Sequence, residues 1–236
     1  MGYTNPSGKL SDTFVNKLSD YPAGLDDKYI EDIFVGYRYF ETFGVDVSYP
    51  FGYGLSYTTF EFGTPEYIVD ENEITVNVEV TNTGSVPGKE VVQVYYSAPQ
   101  IGEGGALLSK ASIELVGFNK TKLIEPGETE KVSIKFNVND MASYDDEGIT
   151  GRKSAYVLEA GDYDIYVGNS VKDAQTRLAG TYKVNSLTVT EQLKQYLVPN
   201  SSFNRIVALN NNGTISKGEK AVITGNDAAV ENRDYN

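Results

Sequence analysis

Residues Ile74 to Thr81 alternate without a break: Ile74, Val76, Val78 and Val80 are apolar, while Thr75, Asn77, Glu79 and Thr81 are polar. Successive side chains of a strand point to opposite faces, so this period of two predicts a strand with one face in a core and one in water. The pattern returns where Val132, Ile134, Phe136 and Val138 alternate with Lys131, Ser133, Lys135 and Asn137. Val91 to Tyr96 is nearly all apolar, as expected of a strand covered on both faces. Ile113–Phe118, the stretch Tyr163, Ile165, Val167 after Gly161, and Leu178–Val189 add further strands, punctuated by turn chemistry at Asn82-Thr83-Gly84-Ser85 and Pro126-Gly127. About seven such strands, with no helical pattern between them, predict an antiparallel, immunoglobulin-like β-sandwich rather than a parallel α/β sheet.

The flanks read differently. In residues 1–57, Asn5-Pro6-Ser7-Gly8 is a turn and Leu10–Phe14 a short strand. Asp26-Asp27 is placed to cap a helix bearing Ile30, Ile33, Phe34 and Tyr37. Tyr49-Pro50-Phe51-Gly52-Tyr53-Gly54 then interrupts regular structure. A lone helix of that length is marginal in water, so this segment needs a neighbour, and an exposed apolar surface is expected on it if a partner is missing. Residues 189–236 read as a tail or linker. A short helix is predicted at Glu191–Leu197, ending before Pro199. The turn Asn210-Asn211-Asn212-Gly213 predicts a hairpin between Arg205–Leu209 and Lys220–Thr224.

Composition limits the chemistry. The 236 residues include no Cys and no His, which excludes disulfides, Cys/His zinc sites and any Ser-His-Asp or Cys-His machinery. No cofactor and no metal site is expected. Asp145-Asp146-Glu147-Gly148 lacks the alternating ligand spacing of a calcium loop and reads as a solvated loop, as Asp26-Asp27 reads as a cap. A formal charge of -13 carries no basic footprint, so neither nucleic acid nor an anionic membrane is an expected partner. No apolar run is long enough to span a bilayer. The start lacks the apolar stretch of a signal peptide, so the expected location is cytoplasmic.

Several segments resemble glycoside hydrolase family 3, the β-glucosidase-like family. Asn5-Pro6-Ser7-Gly8-Lys9-Leu10 resembles a segment near the end of that family's second, α/β sandwich domain, as does Phe34-Val35-Gly36-Tyr37-Arg38-Tyr39-Phe40. Tyr49-Pro50-Phe51-Gly52-Tyr53-Gly54-Leu55-Ser56-Tyr57-Thr58 resembles the segment leading into a fibronectin type III-like domain. Val80–Gly84, Gly88–Tyr95, Leu115–Phe118 and Tyr163–Gly168 are similar to successive strands of that domain.

The resemblance implies three parts: residues 1–57 as a remnant of the α/β sandwich domain, residues 58–188 as the fibronectin type III-like sandwich, and residues 189–236 as a tail. It implies a retaining glycosidase as parent, in which two carboxylates about 5 Å apart open the glycosidic bond. The nucleophilic Asp belongs to a barrel domain, and the acid/base Glu usually precedes the Asn5–Leu10 segment. No residue here matches either motif, so no catalytic residue is assigned and the chain by itself is expected to be inactive. The expected partners are the barrel and the α/β sandwich of a family 3 glycosidase, with β-glucosides or oligosaccharides as possible ligands. Some members place the barrel after the fibronectin-like domain, in which case residues 190–236 lead toward it.

Phe51 and Tyr53 are the candidates for contact with a sugar, because aromatic faces stack on sugar C–H surfaces and the flanking glycines let backbone approach; the favoured reading of the same residues is that they pin the fibronectin-like domain to its neighbour. Alternation puts Tyr95 opposite Tyr96 and Tyr163 opposite Tyr166 on their strands; such tyrosines read first as ordinary strand composition, with a carbohydrate platform as the other reading. Asn119-Lys120-Thr121, Asn200-Ser201-Ser202 and Asn212-Gly213-Thr214 are glycosylation sequons by pattern. Two other readings stand beside the structural module: a stand-alone carbohydrate-binding or interaction module, and an enzyme with an unfamiliar carboxylate pair.

Overall fold

A computed structural model describes residues 4–23, 29–194 and 201–221. Near its start β1 (Phe14–Val15) pairs antiparallel with β2 (Val47–Tyr49), and the short helix α1 (Tyr37–Phe43) lies between them in sequence. Then come β3 (Phe60–Phe62), β4 (Glu66–Asp70), β5 (Glu73–Asn82), β6 (Val91–Ser97), β7 (Glu114–Lys120) and β8 (Thr129–Asn137). They are followed by β9 (Ser143–Asp145), β10 (Ala155–Leu158), β11 (Gly161–Gly168), the one-turn helix α2 (Val171–Ala174), β12 (Leu178–Val184) and β13 (Thr188–Gln192). The hairpin of β14 (Asn204–Asn211) and β15 (Thr214–Ala221) comes last.

The alternating segments form one side of the sandwich. β8 pairs antiparallel with β5 so that Ile74 faces Phe136, Val76 faces Ile134 and Val78 faces Val132, while β3 and β4 share the other edge of β5. The facing sheet runs β12-β11-β6-β7. Ile74, Val76, Val78 and Val80 meet Val92, Val94, Tyr163, Ile165 and Val167 in the core, and the alternate polar residues of β5 lie at or near the surface. A third sheet, β13-β10-β9, joins the segment after β12 to the middle of the chain. All these pairings are antiparallel.

Three local expectations are corrected. The helix expected through Ile30, Ile33, Phe34 and Tyr37 does not form over its described part: residues 30–33 make a turn and α1 begins only at Tyr37. Gly36, at φ 60° and ψ -135°, cannot continue a helix and separates Tyr37 from the earlier stripe. Asp26-Asp27 and Asn200 lie outside the described residues. Of the helix expected at Glu191–Leu197, the described residues 191–194 form none: Glu191 and Gln192 are strand, paired with Tyr156 and Ala155, and residues 195–197 lie outside the described residues. The terminal hairpin turns at Asn212-Gly213, but its second strand starts at Thr214, immediately after the turn, where a start at Lys220 was expected.

That hairpin closes onto the beginning of the chain. Ile206 and Ala208 pack with Phe34, Tyr39 and Phe40, and the Ile206 N–H donates to the Ile30 carbonyl at 2.7 Å. Arg205 holds Asp32, Asp146 and Glu147 at 2.9, 2.7 and 2.7 Å, and Lys220 also pairs with Glu147. Burial pushes the Asp32 carboxyl above its ordinary range, against the opposing pull of Arg205. Asp146 and Glu147 are therefore ion-paired, which corrects the solvated-loop reading. Asp145 is fully buried and accepts from the N–H groups of Gly148, Ile149 and Thr150 at 2.7, 2.9 and 2.8 Å. No group of carboxylates among the described residues is arranged to hold a metal ion.

Candidate functional site

Most of the segments singled out by their resemblance converge on one place, the outer face of β6. Valines 92 and 94 face the sandwich core, so Gln93 and Tyr95 face away from it, yet Gln93 is only 3% exposed and Tyr95 fully buried. Residues from the beginning of the chain cover them. Tyr37 of α1 stacks on Phe51 with ring centres 4.6 Å apart and meets Tyr95 edge-on at 6.1 Å. The Leu115 N–H of β7 donates to the Tyr37 hydroxyl at 2.8 Å. Ile113, Val171 and Ala174 complete this second cluster. Aromatic pairs of this kind contribute about 0.5–1.5 kcal/mol beyond the area they bury.

Backbone contacts fix the loop that carries Phe51. The Leu10 N–H donates to the Tyr53 carbonyl and the Gly52 N–H to the Leu10 carbonyl, both at 2.8 Å, so residues 8–10 and 52–54 lie side by side. On the other side the Val171 N–H donates to the Phe51 carbonyl at 3.1 Å. Gly52 has φ +81°, and a Cβ there would lie 2.5 Å from Gln93 Oε1 and 2.8 Å from the Ser170 backbone. A side chain at this position is therefore excluded by conformation and by space together.

Charge and amide groups close the rest of the seam. Lys9 pairs with Glu90 at 2.7 Å with both side chains largely buried, and the Val91 N–H donates to the same carboxylate. Gln93 donates to the Asn169 carbonyl at 2.8 Å and accepts from the Tyr95 hydroxyl. Asn5 accepts from Tyr57 N–H and Ser56 Oγ and donates to the Pro87 carbonyl. Asn82, fully buried, accepts from Thr58 and Gly84 and donates to the carbonyls of Val86 and Ile124.

The two candidate residues take different places. Phe51 lies in the seam, with one ring face against Tyr37. Tyr53 stacks on Tyr49 at 5.0 Å and lines an open groove of about 510 Å3 with Phe14, Leu10, Leu55 and Pro6. The tyrosine platform does not form: Tyr95, Tyr96 and Tyr163 are buried and Tyr166 is half-buried, because β6 and β11 are covered on both faces. Thr121 of the first sequon is buried and accepts from the Glu90 N–H, whereas Asn212 and Thr214 sit exposed at the hairpin turn.

Among the described residues, the carboxylates of Glu90 and Glu159 line cavities, and both are engaged. Glu90 is held by Lys9, and Glu159 by Lys110 at 2.6 Å and by the N–H groups of Leu107 and Leu108.

Residues 90–171 match the model of the fibronectin type III-like domain. The chain is 46% identical over 234 residues to β-glucosidase A of Butyrivibrio fibrisolvens and 45% identical over 214 residues to a β-glucosidase of Ruminococcus albus; each match covers 88% of this chain. A β-glucosidase structure from Paenibacillus barengoltzii superposes with a TM-score of 0.86 at 42% identity over 94% of the chain. The chain belongs to glycoside hydrolase family 3. It spans 27% and 22% of the lengths of the two curated relatives and 25% of the Paenibacillus chain. β-Glucosidase 3B of Thermotoga neapolitana, solved with glucose, superposes at a TM-score of 0.68 and 40% identity over 80% of the chain. The matched part thus includes the fibronectin type III-like domain of multidomain family 3 proteins.

Sequence reasoning picked out Phe51 but not its cover. Tyr37, Gln93, Lys9 and Glu90 all stand inside the segments quoted for the family resemblance, and that membership was the available signal. Their mutual contacts join positions far apart in the chain.

Proposed function

We propose that this chain is the structural, non-catalytic brace of a family 3 β-glucosidase-type enzyme, whose hydrolysis of O-glycosyl bonds is carried out by polypeptide outside these residues. The observation that carries this reading is the seam itself. The family-like segments at 5–10, 34–40, 49–58, 80–84 and 88–95 are engaged in bonding and packing to one another, not in lining a pocket with free acids. In this reading residues 58–188 are the fibronectin-like module, residues 1–57 belong to the adjoining α/β sandwich domain, and residues 189–236 are a tail, of which residues 204–221 form the terminal hairpin. Phe51 then serves the contact between the two parts.

A stability readout tests the idea. Removing the region that matches residues 58–188 from the intact Butyrivibrio relative should lower its melting temperature far more than it lowers kcat measured well below melting. A full loss of turnover in a protein that stays folded would contradict the brace.

A further inference from the structure

The one Asn-Gly step in the sequence, Asn212-Gly213, is the exposed turn between β14 and β15. Both residues have positive φ, 55° and 89°, which suits a tight hairpin turn, and a turn of this kind sets the register of its strands. The neighbouring asparagines are tied down. Asn211 donates to Ser216 Oγ and Asn210 to the Ile101 carbonyl, both at 2.7 Å. Asparagine is a thermolabile residue, and a following glycine, having no Cβ, leaves its own nitrogen free to approach the asparagine side chain. That nitrogen is restrained here: the Gly213 N–H donates to Asn210 Oδ1 at 2.7 Å.

We propose that Asn212 is a site of spontaneous deamidation, that Asn210 restrains it, and that conversion to isoaspartate unlocks the terminal hairpin from the beginning of the chain. The Gly213 nitrogen gives its proton to the solvent and forms a bond to Asn212 Cγ. The Cγ–Nδ2 bond breaks and ammonia leaves. Water then opens the cyclic imide at either carbonyl, giving aspartate or isoaspartate with no change in oxidation state. The attacking N–H is the one held by Asn210, so that hydrogen bond must open first. In isoaspartate the main chain runs through the side chain and is longer by a methylene. The hairpin depends on its turn length. Arg205 and Lys220 stand opposite each other in its register, and both hold Glu147. Ile206 and Ala208 fill the cluster around Phe34 and Phe40, and the Ile206 N–H reaches the Ile30 carbonyl. A lengthened turn no longer keeps these groups in step.

The test ages the purified chain in mildly alkaline buffer, follows its peptides by mass spectrometry and reads isoaspartate with an isoaspartyl methyltransferase. Asn212 should convert ahead of Asn210 and Asn211. Asn210→Ala should speed the conversion about fivefold, the worth of one hydrogen bond, and should also speed deuterium exchange at the Gly213 N–H. The Ile206 N–H should keep its protection in that variant; its loss would assign the restraint to the hairpin as a whole and overturn the role of Asn210. The aged chain should melt about 2–4 °C lower than the fresh one. Asn212→Gly, which keeps a sequence that such turns accept and has no amide to lose, should show no such fall. Fresh Asn212→Asp should melt like the parent, which separates the new charge from the longer main chain. The proposal falls if Asn212 stays intact on ageing, if Asn210→Ala converts at the parent rate, or if chain enriched in isoaspartate melts like the fresh protein.

Discussion

A Cβ on Gly54 would lie 2.4 Å from the carbonyl oxygen of Gly8, so two glycines from separate family-like segments sit in contact. The relationship is one-sided, because a Cβ on Gly8 would meet nothing within 4 Å. Gly54→Ala should therefore force residues 8–9 away from the loop and cost about 1–3 kcal/mol, whereas Gly8→Ala should be close to neutral. Urea unfolding midpoints of the two variants, compared with the parent chain, check this.

Lys110 and Glu159 form a buried pair, 2.6 Å apart, with side chains 2% and 5% exposed. Burial pulls the Lys110 ammonium below its ordinary pKa against the opposing effect of Glu159. Lys110→Met would leave Glu159 charged and unpaired in the interior, at a cost of about 3–5 kcal/mol. Adding Glu159→Gln should restore part of that loss, since it removes the buried charge while the amide oxygen still accepts from one of the two N–H groups of Leu107 and Leu108. A double-mutant cycle in urea separates the pair energy from the loss of each partner.

For Asp145, burial alone would raise the pKa, but the Thr150 hydroxyl and the N–H groups of Thr150, Ile149 and Gly148 outweigh it and hold the carboxyl below 3.8. A depressed folded-state pKa gives stability that is present above the unfolded value and is lost as pH falls through the folded value. Asp145→Asn should remove that acid-side slope, and Asp145→Ala should cost about 3 kcal/mol at pH 7 by leaving the three N–H groups without their acceptor. Melting temperature as a function of pH distinguishes the two effects.

Glu114 has the opposite sign. Burial raises its pKa above 4.5, against Arg38 at 3.4 Å and the Tyr96 hydroxyl. A raised folded-state value favours the fold below the unfolded pKa, and that advantage is lost as pH rises through the folded pKa. Glu114→Gln should flatten this part of the pH–stability curve and be neutral or stabilising at pH 7, measurable as a smaller fall in melting temperature between about pH 4 and pH 7.

How much could be read in advance follows from the range of each interaction. The strand at Ile74–Thr81 was legible because alternation is local and repeats without exception. The double burial of β6 showed in the apolar run Val91–Tyr96, but not its cover, since Tyr37 and Phe51 reach it from the beginning of the chain. The helix expected before Tyr37 does not form over its described part, where Asp32 at φ 53° and Gly36 at φ 60° take backbone conformations that a helix does not, despite the apolar spacing. The strand expected over Leu178–Val189 divides into β12 and β13, and the end of β13 at Glu191 and Gln192 was read as helix because its partner, Ala155–Leu158, is distant and polar composition alone does not mark an edge strand. Phe51 and Tyr53 were singled out as candidates by aromatic and glycine chemistry. Their assignment to opposite sides of one loop needed the backbone bonds between Leu10, Gly52 and Tyr53. The Arg205 hub carried no pattern beyond the Asp145-Asp146-Glu147 run, because its cation and its acids come from three separate stretches.

The most direct measurement of whether this polypeptide is a scaffold or a catalyst is release of nitrophenol from an aryl β-glucoside by the purified chain. The account predicts a rate indistinguishable from buffer across pH 4–8. A rate above buffer that disappears on replacing one Asp or Glu of this chain by its amide would contradict it.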